Sequence, residues 1–134
     1  MAQLRITEMD HIVLNVRDIE RAIAFYTGVL GLQGERLDEY RRGEVGFPSV
    51  RINANTLIDL TKGEGDAAGA SRSPNLNHYC LVSESTDLAA LAADLRSQGV
   101  TVVQEPVSRW GARGQATSIY ILDPDSNEIE IRCY

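Results

Sequence analysis

Two kinds of apolar pattern follow one another along this chain, and the pair occurs twice. The run Asp10-His11-Ile12-Val13-Leu14-Asn15-Val16 is rich in β-branched residues and predicts a strand. Asp18 then supplies an N-cap, and Ile19, Ala22, Ile23, Tyr26, Val29 and Leu30 recur at helical spacing. Gly31 predicts the helix stop. Short strands are expected at 33–40, 49–53 and 56–61, bounded by Gly43, Gly46, Pro48 and Asn55. The segment 63–75, GEGDAAGASRSPN, is small, polar and aperiodic and reads as a linker. The order then repeats. A strand at 77–82 leads to a helix capped by Ser85 or Thr86, with Leu88, Leu91, Ala92 and Leu95 on one face and Gly99 at its end. Strands follow at 100–104, 117–122 and 128–133, with 108–115 (SRWGARGQ) read as a loop.

The likeness of the halves extends to single residues. Each opens with Asp or Asn, then His, then apolar residues. Each carries near its end a carboxylate between aliphatics, Ile58-Asp59-Leu60 and Ile129-Glu130-Ile131. His and carboxylate are 48 residues apart in one half and 52 in the other. The expectation is a single α+β domain spanning 1–134, built of two βαβββ modules at 8–62 and 76–134 with helices outside. Similar modules of this kind would pack side by side or swap between chains.

Composition narrows the partners. The net charge is −6, so a phosphate backbone or an anionic bilayer is repelled, and neither nucleic acid nor membrane is expected. Hydrophobic content of 43% and charged content of 24% are globular values. The N-terminal residues lack the apolar region of a signal peptide, which points to a cytoplasmic protein. Cys80 and Cys133 are too few for a disulfide framework and read as buried thiols.

Strand parity places the candidate chemistry. Ile12, Leu14 and Val16 must meet the first helix, so His11 faces the other way. The same parity puts His78 with Cys80 and Val82, and Glu130 with Arg132 and Tyr134. A carboxylate between two aliphatics loses hydration unless a cation or donors satisfy it. A lone strand histidine is ordinarily a satisfied core or surface group. Here, however, the chain has two histidines and both fall at the same point of the repeat. His11, His78 and Glu130 are therefore the expected ligands of one divalent cation, a two-His, one-carboxylate set that leaves positions for substrate oxygens. Asp59 is a fourth ligand or a base beside the metal, and Glu130 itself can move a proton. In and beside the GARG segment (111–114), Arg109 and Arg113 suit a carboxylate, phosphonate or phosphate, and Gly111 and Gly114 suit close backbone approach; a solvated charged turn is the alternative. Trp110 lines the pocket or caps the core, and Tyr120 can reach the cleft as a phenol donor.

Three stretches, DHIVLNVRDIERAIAFYTGVLGL (10–32), NHYCLV (77–82) and SIYILDPDSNEIEIRCY (118–134), carry a resemblance to the vicinal oxygen chelate superfamily. That group includes glyoxalase I, fosfomycin resistance enzymes, methylmalonyl-CoA epimerase, extradiol dioxygenases and bleomycin resistance proteins. The resemblance implies a cupped, eight-stranded mixed sheet around a metal, within a homodimer. It also implies metal-ligand roles for His11, His78 and Glu130; where glyoxalase I has a further Glu, this chain has the shorter Asp59. Zinc, nickel, manganese and iron all accept this set. Three activities follow as expectations. The first is a lyase, isomerase or transferase that chelates a small oxygen-rich substrate and stabilises an oxyanion or enolate. The second is an Fe(II) ring-cleaving dioxygenase, and the third a non-catalytic small-molecule binding protein.

Overall fold

The computed structural model describes residues 5–63, 76–84 and 86–134. The chain divides into two compact units, Met1–Lys62 and Gly63–Tyr134. In the first, β1 (His11–Val16) leads into α1 (Ile19–Ile23), which continues as a wider π-helical segment, Ala24–Val29. Then come β2 (Gln33–Glu35), α2 (Leu37–Arg41), β3 (Ser49–Asn53) and β4 (Thr56–Lys62). The second unit has β5 (Tyr79–Val82), α3 (Leu88–Ser97), β6 (Val102–Gly111), β7 (Gly114–Leu122) and β8 (Glu128–Cys133).

Each unit holds one four-stranded mixed sheet, and the strand order repeats: β1-β4-β3-β2 in the first, β5-β8-β7-β6 in the second. In both, the first strand lies parallel to the last (β1 with β4, β5 with β8), while the other pairs are antiparallel. The expected α+β fold of repeated modules is the one observed.

Alternation explains which side of each sheet is covered. Leu14, Val16, Val50, Ile58 and Leu60 are buried, as are Ile19, Ala22 and Ile23 of α1. In the second unit Ile119, Ile121, Ile129 and Ile131 are buried, as are Leu88, Ala92 and Leu95 of α3. Each buried Val, Leu or Ile among them contributes about 1.5–3 kcal/mol when removed from water. The opposite faces stay open: Val13 is 52% exposed and Val82 54%. Both histidine strands therefore present their polar parity away from the core.

The caps follow the sequence in part. Asp18 accepts a hydrogen bond from the Arg21 N–H, as expected. The helix stops Gly31 and Gly99 both adopt positive φ, 71° and 83°, a conformation that costs glycine little. The cap of α3 is Asp87, not Thr86: its carboxylate accepts from the N–H groups of Ala89 and Ala90. A carboxylate there also favours the positive helix end. Ser85 and the linker at 64–75 lie outside the described residues.

Three readings are corrected. The strand expected at 33–40 stops at Glu35, because Arg36 takes φ 59° and turns the chain into α2. The loop expected at 108–115 is mostly strand. Ser108, Arg109, Trp110 and Gly111 pair with Thr117, Ala116, Gln115 and Gly114, leaving Ala112 and Arg113 as a two-residue turn. This outer hairpin is largely exposed on both faces, so it lacks the alternation that marks a half-buried strand. Finally, Cys80 is exposed and Cys133 only half-buried, because Cys80 shares the open face with His78. No helix among the described residues is long and apolar enough to cross a membrane.

Candidate functional site

The open face of each sheet carries the same small cluster. In the first, the Asp10 carboxylate accepts from His11 Nδ1 at 2.7 Å. In the second, the Asn77 amide oxygen accepts from His78 Nδ1, also at 2.7 Å. Both partners are acceptors, so Nδ1 donates to them, and Nε2 is the ring nitrogen left to face a metal or a proton. That atom looks toward the unit's carboxylate. His11 Nε2 lies 3.8 Å from Asp59 Oδ2, and His78 Nε2 lies 3.1 Å from Glu130 Oε1.

A serine holds the other oxygen of each carboxylate. Ser49 Oγ donates to Asp59 Oδ1 at 2.6 Å, and Ser118 Oγ donates to Glu130 Oε2 at 2.6 Å. Sheet register sets these contacts: Ser49 is the cross-strand partner of Asp59, while Ser118 lies diagonally beside Glu130, opposite Arg132. Arg36 Nη2 donates to Ser49 at 2.7 Å, and Arg132 Nη1 donates directly to Glu130 Oε2 at 2.9 Å. The serines were not among the residues singled out from sequence. Their signal is weak, a small polar residue 10 and 12 positions before each carboxylate.

Electrostatics sharpen the second cluster. Burial pushes the Glu130 carboxyl upward, but the Ser118 hydroxyl, the Tyr120 phenol, the Arg132 guanidinium and His78 together hold it below the ordinary carboxylate value. Burial also raises the Tyr120 hydroxyl, as does its hydrogen bond to Glu130. Although Cys80 is exposed as a residue, the protein around its sulfur displaces enough water to lift the thiol to about 11, with the Glu130 charge adding to it, so the thiol stays protonated and is a poor nucleophile near neutral pH. In the first cluster the Asp10 hydrogen bond outweighs desolvation and, with the Asp59 charge, raises His11.

The donor chemistry fits a divalent metal. A bare imidazole nitrogen facing an ionised oxygen places two lone pairs together, which a shared cation or proton relieves. Metal bonds of about 2.0–2.2 Å hold two ligands of one ion about 3.0 Å apart at right angles and about 3.4 Å apart at tetrahedral angles. The 3.1 Å separation of His78 and Glu130 falls inside that range, and the 3.8 Å separation of His11 and Asp59 is wider. Among the described residues, no group of three or more His, Cys, Asp or Glu side chains stands at metal-binding spacing; each cluster offers two donors.

His78 also opens on a cleft of about 360 Å³ lined by Asn77, Val103, Gln104, Arg109, Tyr120 and Glu128. The Tyr120 ring meets the His78 ring edge to face with centroids 5.4 Å apart, and the Arg109 guanidinium sits 5.9 Å from the Tyr120 centroid. Arg109 and Tyr120 thus join His78. Arg113 and Trp110 are not part of that lining. Arg113 stacks on Tyr134 at 4.3 Å, and Trp110 is 77% exposed, so it does not cap the core. The close approach expected at Gly111 is made from within the chain, by Arg132 and Tyr134.

Comparison with known proteins identifies the family and the fold. Residues 8–131 match the profile of the Glyoxalase/Bleomycin resistance protein/Dioxygenase superfamily. A Salmonella typhimurium virulence protein is 33% identical over 98% of this chain and 88% of its own. A lactoylglutathione lyase of the same organism is 33% identical over 90% of this chain and 88% of its own. Among solved structures, an integron cassette protein from the mobile metagenome of V. cholerae superimposes with a TM-score of 0.74 at 29% identity, covering 99% of both chains.

Proposed function

Since this chain belongs to the glyoxalase/bleomycin resistance protein/dioxygenase superfamily, we propose that it is a metal-dependent enzyme of the glyoxalase or fosfomycin-resistance type. It binds a small oxygen-rich substrate, as a lyase, isomerase or transferase, and works as a homodimer. The superfamily includes lyases such as lactoylglutathione lyase. The observation that carries the proposal is the twice-built cluster: a histidine oriented through Nδ1, facing a carboxylate whose other oxygen a serine holds.

In this reading His11, His78 and Glu130 hold one divalent cation, zinc, nickel, manganese or iron, drawn from both clusters of one chain or of two copies. When bound, the cation supplies Lewis-acid stabilisation of negative charge on substrate oxygens. The protein's own groups do the rest. Asn77 and Asp10 keep both rings in the tautomer that leaves Nε2 free. Ser118 occupies Glu130 Oε2 and leaves Oε1 for the ion. Asp59 supplies a further ligand or accepts a substrate proton. Arg109 pairs with a carboxylate, phosphonate or phosphate of the substrate, and the Tyr120 hydroxyl donates to a substrate oxygen.

Elemental analysis of purified protein tests this reading. Wild type should carry close to one equivalent of a divalent transition metal per chain, and His78→Ala should carry little. Equal metal content in the two proteins would sink the proposal.

A further inference from the structure

Arg132 is a cation in an unusual place. It is 2% exposed, on the face that carries Glu130. One edge of its guanidinium donates to Glu130 Oε2. The remaining bonds all reach main-chain carbonyls of the β6–β7 hairpin: Trp110 at 3.3 Å, Arg109 at 3.0 Å and Gly114 at 3.1 Å. The Tyr134 ring packs against it at 4.8 Å, and the Tyr134 hydroxyl accepts from the Arg113 N–H at 3.0 Å. One planar fork therefore ties the carboxylate to both strands of the hairpin that carries Arg109. Lysine has no such fork.

The hairpin is shaped to admit this group. A Cβ at Gly111 would stand 2.4 Å from Arg132 Cζ, 2.7 Å from Nη2 and 2.5 Å from the Tyr134 hydroxyl. Gly111 is not among the positive-φ glycines, so its backbone suits any residue and the space is what it supplies. Burying a guanidinium costs several kcal/mol unless it is paired and hydrogen-bonded. Here the pairing partner is the carboxylate assigned to the metal, so the bond that compensates the guanidinium also orients that carboxylate.

We propose that Arg132 is a positioning residue. It fixes Glu130 Oε2 so that Oε1 is turned to the metal, and it locks the Arg109-bearing hairpin to that carboxylate as one body. Gly111 is the space that makes this possible. The proposal rests on the metal reading above.

Two charge-preserving variants test it. Arg132→Lys keeps the cation and removes the fork; Gly111→Ala keeps the arginine and takes its space. Zn(II) affinity, measured by competition with a chromogenic chelator, should fall about 10- to 100-fold in both, the usual loss when an outer partner of a ligand is removed. Ala112→Ser, at the exposed turn of the same hairpin, should bind as wild type. The indole of Trp110, the only tryptophan, gives a second reading: Zn(II) should change its fluorescence in wild type and not in Gly111→Ala. Circular dichroism checks folding, and Gly111→Ala carries the test if Arg132→Lys does not fold. If wild type binds Zn(II) and the folded variants match it within twofold, the Arg132 proposal is overturned and the metal reading stands. If wild type itself binds no metal, the metal reading fails and takes the Arg132 proposal with it.

Discussion

Glu130 shows how much a single buried carboxylate depends on its donors. It is 4% exposed and stays ionised because Ser118, Tyr120 and Arg132 replace the water it has lost. Ser118→Ala removes a 2.6 Å bond to a charged group. The variant should lose about 1.5–3 kcal/mol in urea denaturation of chelator-treated protein. The sign of the pH dependence follows from the same donors. Glu130 is depressed in the folded state, so its contribution is present above the ordinary carboxylate value and lost as pH falls through the folded one. His11 is raised, so its contribution is full below the ordinary imidazole value and fades as pH rises through the folded one. Glu130 therefore contributes to the acid limb, as does Glu20, which its hydrogen bond to Arg41 also holds below the ordinary carboxylate value. Between pH 7 and about pH 3, below the ordinary carboxylate range, Glu130→Gln should lose less stability than wild type. A parallel slope for the two proteins would contradict the assignment.

At the scale of an element, caps and parity do the placing. Asp87 closes two free N–H groups at the start of α3, and Asp87→Ala should cost about 1 kcal/mol by thermal or urea unfolding. Thr86→Ala, one residue earlier, should change stability by less than about 0.5 kcal/mol. A reversed ranking would mean that the cap lies where the sequence first suggested. Parity has wider reach. The β1–β4 register sets Val13 opposite Asp59, and β5–β8 sets Cys80 opposite Glu130. Each histidine is two residues before that pair, on the same face as its carboxylate.

For the whole molecule, the question is whether the two clusters serve one ion. Any metal that binds the folded state alone adds stability, about 2.7 kcal/mol at a hundred times its dissociation constant. If a single cation takes ligands from both clusters, His11→Ala and His78→Ala should each abolish most of that metal-dependent rise in melting temperature. The double variant should then lose no more than either single one. Additive losses would point to two independent sites.

Much of this protein is legible without coordinates. The repeat, most of the strands, the first and last helices, the Asp18 cap, both glycine stops and the facing of His11, His78 and Glu130 follow from local sequence signals, because the core must take one parity of each strand; α2 and the outer hairpin do not. What depends on the tertiary structure is non-local. Ser49 and Ser118 reach their carboxylates only through cross-strand register, and Arg132 reaches three hairpin carbonyls only because Gly111 lies over it. The outer hairpin was hidden because, with no core to cover, its pairing leaves no hydrophobic signature. Residue types along one strand announce what a face will hold; which neighbours complete that face depends on strands that meet only after folding.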